Sequence, residues 1–423
     1  MKINYLKDKW IKLDNMAKIF SLDDRRNTNI FRYSVLLKKN IDSVILQDAL
    51  NLALMDYPRF KVKIGSGLFW NYLEYNSKKL IVKKESGIPC EHINFRRNND
   101  YLFKVTYYKN KINLDLFHVL TDGSGAIVFL KALIYHYLNL KYKLSKNVNN
   151  NEDIYKHEDL NLKYYDKNYK MAYDFKAAYQ LPGKVNKRIN NTYHYIVSVD
   201  EIKEVCKEYN VTITQYLTSV YIYAMYLSIY NRKSNKEISI TVPIDLRKFF
   251  NDNTLANFFT YMNIVSNVSK KDKISFDEVL NHIRDEFKRK LTNDKIKAYL
   301  ARDVKLGMNI PIRLVPLFIK KLFIKFMGVL VTKSCTSTLS NVGIIDIEQP
   351  YKKYINNILV LVMPSKLQKI KCSVCSYDNN LNITINSNIK DIKFQRAFFE
   401  ILDKNIKKIK IESNKRVKKW GEL

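Results

Sequence analysis

Two hydrophobic periods alternate along the chain. Residues 42–57 set Val44, Ile45, Ala49, Leu52 and Ala53 at the three- and four-residue spacing of one helix face, and Pro58 stops the run. Ahead of it, the apolar and β-branched run at 30–37 predicts a strand. Beyond it, strands are predicted at 62–64, 69–73, 102–107 and 112–117, and a second helix at 126–140. A polar interval at 141–187, dense in Asn, Asp, Lys and Tyr and broken by Pro182-Gly183, reads as a crossover between domains. The second half repeats the mixture. Strands are predicted at 193–199, 238–242 (ending at Pro243), 358–362, 370–375 and 381–385. Helices are predicted at 214–230, capped by Thr212, and at 276–291, 315–326 and 394–409. Adjacent strands outnumber strict strand–helix alternation, so the expected class is a mixed α+β sandwich with mixed sheets. Two parts are expected, 1–187 and 188–423.

Composition narrows the class. The chain has 423 residues, 46% of them hydrophobic and 27% charged, with 10 Gly and 8 Pro. That is enough apolar material for packed cores, and it excludes a disordered chain, a collagen-like fibre and a coiled coil. Five Cys, an odd number, do not make a disulfide framework. Charges occupy the start, Lys2, Lys7, Asp8 and Lys9, where a signal peptide needs an apolar stretch. No uncharged run approaches the roughly 18 residues of a membrane span. The expected compartment is the cytoplasm.

Lys and Arg total 73 against 41 Asp and Glu, a formal net charge of +32. The basic residues are spread along the chain in amphipathic segments, as at Lys320-Lys321 and Lys407-Lys408, and the richness in Lys, Asn, Ile and Tyr is what an AT-rich genome produces. No helix-turn-helix, zinc-finger or RNA-binding signature accompanies them, so specific nucleic-acid binding is not expected. An anionic substrate would be attracted.

The chemistry concentrates at Leu116-Phe117-His118-Val119-Leu120-Thr121-Asp122-Gly123-Ser124-Gly125. A His ends a strand, and a Gly-rich turn then leads straight into a helix. A rigid strand end fixes an imidazole while the following loop leaves room for substrate. Histidine accepts a proton near neutral pH, so His118 is the candidate general base. Asp122 either orients the His or holds the turn through a cation, and Gly123 allows close approach.

The run His118-Val-Leu-Thr-Asp122-Gly123 resembles the HxxxDG motif of the chloramphenicol acetyltransferase-like superfamily, which includes condensation domains and alcohol acetyltransferases. Supporting stretches resemble the bacterial alcohol acetyltransferase branch: Trp10-Ile-Lys-Leu-Asp14-Asn-Met-Ala17-Lys-Ile-Phe20, Tyr57-Pro58-Arg59-Phe60, Val242-Pro243-Ile244-Asp245-Leu246-Arg247-Lys248 and Leu339-Ser340-Asn341-Val342-Gly343. The resemblance implies two acyltransferase-like lobes forming a pseudo-dimer with a tunnel between them. It implies His118 as general base at mid-tunnel, no bound cofactor, and acyl-coenzyme A as co-substrate. The acceptor is an alcohol or amine, lipid included. Asp122 and Gly123 take a structural role, with an Arg as the Asp122 partner. Lys61 stands at the aligned position, leaving Arg59 and Arg247 as candidates. Phe117 replaces the first His of the doubled pair of condensation domains, and the DFGWG signature is absent, which points to the stand-alone branch. Condensation or release with carrier-protein thioesters, and a non-catalytic binding or scaffold member, are the alternatives.

Other candidates divide evenly between function and packing. Ser340 and Asn341 either line the tunnel opposite His118 or form a plain turn. Arg247 meets donor phosphates, or Asp122, or caps a strand. Cys372-Ser-Val-Cys375 lies on a predicted strand, where residues three apart face opposite sides, and no second ligand pair follows. No metal site is expected, nor a P-loop or GxGxxG. The apolar segment 311–332, with Arg313, Lys320, Lys321 and Lys325, is read as a helix packed on a sheet. Its alternative is peripheral membrane contact.

Overall fold

The computed structural model describes residues 10–22, 29–144, 159–186, 190–270, 273–308 and 314–414. In chain order the first elements are β1 (Ile11–Lys12), α1 (Asn15–Phe20), β2 (Ile30–Leu37), α2 (Ser43–Asp56), β3 (Val62–Ser66), β4 (Asn71–Tyr75), β5 (Lys83–Lys84), β6 (Phe103–Tyr108), β7 (Lys111–Phe117) and α3 (Gly123–Tyr142). Next are α4 (Leu160–Lys163), β8 (Asn191–Ser198), α5 (Val199–Glu208), α6 (Ile213–Ser228), β9 (Ser239–Asp245), α7 (Arg247–Phe250), β10 (Phe259–Val265), α8 (Phe276–Lys290) and α9 (Asn293–Met308). Then come α10 (Leu317–Lys333), β11 (Ser337–Ile344), β12 (Ile355–Val362), β13 (Ile370–Tyr377), β14 (Asn380–Ser387), α11 (Lys393–Asp403) and β15 (Lys410–Ser413).

Three sheets result, the two larger ones mixed and the smallest antiparallel. Five strands run in the order β12-β2-β7-β6-β5, seven in the order β10-β9-β11-β13-β14-β8-β15, and β1-β4-β3 form a small third sheet. Two large cores lie against them. In one, α2 and α3 pack Leu46, Leu50, Phe129 and Leu133 onto Tyr33, Leu114 and Leu116. In the other, α6, α8 and α11 pack Tyr221, Ile283 and Phe398 onto Ile240, Val374 and Ile383. Strand β12, late in the chain, pairs antiparallel with β2 and so enters the first sheet. Its reverse side meets the second sheet, where Ser373 Oγ donates to the Val360 carbonyl at 2.9 Å and the Asn357 and Asn382 amides exchange hydrogen bonds.

Local chemistry sets the helix starts. Thr212 and Gln215 close a capping box on α6, as do Ser275 and Glu278 on α8. Helix α5 was not anticipated, since 193–199 reads as strand; Ser198 ends that strand and caps the helix, with Asp200 and Glu201 in its first turn. Strand β9 runs past Pro243 to Asp245. Its pairing with β11 stops at Thr241, so Pro243 faces only Tyr261 of β10, and a missing N–H on the other side costs no ladder bond. Cys372 points into one core and Cys375 into the other, so the pair cannot share a ligand. The expectation that the segment 311–332 packs its apolar face on a sheet is corrected over 314–332, Arg313 lying outside the described residues. In α10 only Leu317, Lys320 and Ile324 are buried, because one narrow stripe reaches the protein.

Candidate active site

His118 directly follows β7, and its backbone N–H donates to the Asn29 carbonyl at 2.8 Å. The ring is partly buried among three aromatic rings, Phe20, Phe31 and Phe259, with centroids 4.6, 4.9 and 5.4 Å away. Burial lowers its pKa below the usual histidine value; the Asp122 charge and the Asn257 hydrogen bond offset this only in part. The imidazole is therefore neutral at pH 7.

Nδ1 lies 2.9 Å from Asn257 Oδ1. The direction of that bond follows from the next one, because Asn257 Nδ2 donates to Asp14 Oδ2 at 3.0 Å. An ionised carboxylate accepts only, so the amide must present its oxygen to the ring, and Nδ1 must carry the proton. The Nε2 lone pair is thereby left for substrate; among the described residues Nε2 has no hydrogen-bond partner. Asn257 is itself pinned, its N–H donating to Asp14 Oδ2 and its carbonyl accepting from Asn161 Nδ2 at 2.8 Å. Asp14 also caps α1 by accepting from the Ala17 N–H at 2.7 Å. Burial pushes the Asp14 carboxyl up to about 6, helped by Asp159 and opposed by these hydrogen bonds and by Arg59.

Asp122 faces away from the ring. It caps α3 through the Gly125 N–H and takes both Arg247 Nη atoms, at 2.8 and 3.0 Å, and the Phe258 N–H at 2.8 Å. Burial alone would raise this carboxyl, but the guanidinium and the two N–H groups outweigh it and hold it below the usual carboxylate range. Arg247 spends its remaining donors on Asp245 and on the carbonyls of Thr254 and Ala256. None is left for a donor phosphate. Arg59 and Lys61 do not pair with Asp122: the first is buried beside Phe60, near enough to Asp14 to act on its charge, and the second lies over the Tyr75 ring. The bidentate pair therefore ties the turn after β7 to the loop that delivers Asn257.

Glycine is required here for space. A Cβ on Gly125 would stand 2.2 Å from Thr121 Oγ1 and 2.8 Å from the Leu255 carbonyl oxygen. One on Gly123 would meet Tyr33 OH at 3.2 Å and Val342 at 3.4 Å. Val342 brings the end of β11 against the motif turn. Asn341, beside it, donates to Thr214 Oγ1 and accepts from the Gly343 N–H, so its amide holds the bend at positive-φ Gly343. Ser340 pairs in register with Ser373 of β13.

A cavity of about 630 Å³ shares two residues with the surroundings of His118, whose own ring is not among its lining residues. Phe20 and Asn29 belong both to its lining and to the surroundings of His118, and residues of α10 also line it. Four lysines, Lys325, Lys333, Lys366 and Lys371, contribute to the wall. Ser340, Asn341 and Arg247 are not among the lining residues. No group of three or more His, Cys, Asp or Glu side chains among the described residues is arranged to hold a metal ion. His136 instead pairs with Asp56 at 2.6 Å, joining α3 to α2.

No known family pattern matches the sequence, and no curated protein does. Solved structures match its shape over nearly the whole chain. TRI101 from F. sporotrichioides, complexed with coenzyme A and T-2, is 10% identical, with a TM-score of 0.65 over 96% of this chain and 100% of that one. TRI3 trichothecene 15-O-acetyltransferase from Fusarium sporotrichioides is 13% identical, with 0.62 over 92% and 93%. The epimerization domain of tyrocidine synthetase B is 11% identical, with 0.62 over 94% and 95%. The fold is the two-lobed acyltransferase and condensation-domain fold. Asn257, the role of Asp14, and Phe20 were not singled out from sequence. The available signals were an amide inside the apolar run Leu255-Ala256-Asn257-Phe258-Phe259 and an Asp three residues before Ala17.

Proposed function

We propose that this protein is an acyltransferase that moves an acyl group from a coenzyme A thioester to a hydroxyl or amine, with His118 as general base. The observation that carries the reading is the neutral imidazole whose proton is fixed on Nδ1 by Asn257 and Asp14, leaving the Nε2 lone pair unused, with a cavity that shares Phe20 and Asn29 with the surroundings of the ring. The acceptor gives its proton to Nε2 as its oxygen or nitrogen bonds to the thioester carbonyl carbon. The tetrahedral adduct collapses with cleavage of the C–S bond, and the thiolate recovers the proton from Nε2. Throughout, Nδ1–H keeps its bond to Asn257 Oδ1, and the Asp14 charge behind the amide favours the transient imidazolium.

The donor is read from charge. Four lysines in the cavity wall suit a diphosphate-bearing thioester, whereas Arg247 is committed to Asp122. Phe117 in place of a second motif His favours a free coenzyme A donor over carrier-protein condensation. The two lobes, 1–187 and 188–423, would each supply one wall. The test is thiol release from short- and long-chain acyl-coenzyme A with a panel of alcohols and amines, comparing wild type with His118→Ala. Release that falls at least a hundredfold in the variant supports the base. Equal release, or none with any donor, favours a binding or scaffold role.

A further inference from the structure

The helix α10 turns an apolar face outward. Phe318, Leu322 and Phe326 are 69, 71 and 62% exposed, and Ile319 and Phe323 beside them are about half so. At 100° per residue these five side chains fall within one broad arc, opposite the buried stripe of Leu317, Lys320 and Ile324. That stripe anchors the helix to the protein. Leu317 N–H donates to the Leu68 carbonyl, and Lys320 Nζ reaches the Phe69 carbonyl and sits 3.7 Å over the Trp70 ring. Those contacts place exposed Leu68 at the start of the helix. Lys321 and Lys325 run along one flank, four residues apart, and the sequence holds no Asp or Glu between Asp303 and Asp346. The same helix contributes Ile324, Lys325 and Val331 to the wall of the cavity that Phe20 and Asn29 also line.

We infer that α10 docks this protein onto an anionic bilayer surface, lying in the interface plane, and that the cavity takes its acceptor or acyl chain from that membrane. An apolar arc with cations at its edge and no acid nearby fits acyl chains below and anionic headgroups around it. A protein groove would match the apolar arc but does not explain the run of some forty residues without an acid. No helix among the described residues is long and apolar enough to cross a membrane, so the contact is interfacial. The substrate half of this inference rests on the acyl transfer proposed above; the docking half does not.

The experiment is co-sedimentation of the full chain with vesicles of phosphatidylcholine alone and with one quarter phosphatidylglycerol, a readout without acyl transfer. Wild type is expected to bind the anionic vesicles at least tenfold more tightly than the neutral ones. Phe318→Ser/Leu322→Ser/Phe326→Ser should lose binding to both, and Lys321→Glu/Lys325→Glu should lose only the anionic preference. Because these side chains are exposed, circular dichroism and the melting temperature should be unchanged in both variants. As a second readout, the emission of Phe318→Trp should shift blue and be quenched by brominated acyl chains. Wild type remaining in the supernatant, or a triple variant that binds like wild type, overturns the inference. So does light scattering that finds a wild-type dimer converted to monomer by the triple variant, since a second copy would then own this face.

Discussion

The side-chain amide of Asn257 stands between two groups that never meet, accepting from His118 Nδ1 at 2.9 Å and donating to Asp14 at 3.0 Å. Its orientation is dictated by Asp14, and the imidazole tautomer is dictated in turn by its orientation. Asp14→Asn should unfix the relay. The new amide has one acceptor oxygen where the carboxylate met three donors, the N–H groups of Ala17 and Asn257 and the Asn257 amide, so the Asn257 side chain is no longer held in one orientation and the Nδ1–H tautomer loses its hold. We expect a fall of about a hundredfold in kcat, about 3 kcal/mol by transition-state arithmetic, with KM nearly unchanged. Nitrogen-15 spectra of the imidazole should report the change of tautomer. An active variant with the wild-type tautomer would remove Asp14 from the role of positioning residue.

The same pair sets opposite pH dependences. The Asp14 carboxyl is pushed up from 3.8 to about 6, so between those values the folded state holds a proton that the unfolded chain has lost. Stability therefore falls as pH rises through that window, by on the order of 3 kcal/mol at most. His118 acts in the other direction, since its lowered pKa leaves the unfolded chain to bind the proton first as pH drops below 6.5. Its contribution is lost as pH falls. Denaturant titrations from pH 4 to 8 should show the Asp14 component absent in Asp14→Asn, and the His118 component absent in His118→Gln. The acid limb of kcat/KM should lie below 6.5 in the wild type.

The strand before His118 and the helix after it were legible because each is long and strongly periodic, and the motif between them is dense in residues with one structural use. Asp122's partner was legible only as a choice between Arg59 and Arg247. Arg247 lies 125 residues away, and two other basic residues sit closer to the aligned position. Asn257 was hidden for a related reason, because an amide in an apolar run looks like a loop residue until β10 and the Arg247 cage bring it to the ring. The exposed face of α10 was misjudged because burial cannot be read from hydrophobic period alone. The same spacing serves a sheet and an interface.

Arg247 should behave as a structural keystone rather than a donor-binding residue. Removing it leaves the buried Asp122 charge with two N–H donors and frees the 254–258 carbonyl cluster. Arg247→Ala is expected to cost about 3–5 kcal/mol, read as a large drop in melting temperature. Arg247→Lys should recover only part, since one ammonium cannot replace the bidentate fork. Among molecules that remain folded, KM for the acyl-coenzyme A donor should change little. A selective rise in that KM without loss of stability would return Arg247 to the phosphates.

Phe20 is shared by the cavity wall and the imidazole, 4.6 Å from the ring centroid. If the acceptor reaches Nε2 through that cavity, Phe20→Ala should widen the approach. We expect kcat/KM for long-chain alcohols to rise several-fold relative to short ones, with a melting temperature lower by a few degrees. An unchanged ratio would mean that the acceptor arrives from another side.

The two glycines of the motif turn separate fit from flexibility, because neither is described with a left-handed φ and only space distinguishes them. At Gly125 an added methyl would lie 2.8 Å from the Leu255 carbonyl oxygen, and backbone cannot swing away as a side chain can. Thr121 Oγ1 already donates to that carbonyl at 2.8 Å, so relieving the clash breaks this bond and displaces the loop leading to Asn257. Gly125→Ala should therefore cost about 1–3 kcal/mol and reduce kcat through the misplaced amide. At Gly123 the nearest atoms are the ends of the Tyr33 and Val342 side chains, at 3.2 and 3.4 Å, which can yield by a few tenths of an ångström. Gly123→Ala should cost less than about 1 kcal/mol and keep most activity. Paired urea titrations with initial rates would test the contrast, and a Gly123 variant more damaged than the Gly125 variant would mean that the strand β11, not the Asn257 loop, sets the position of His118.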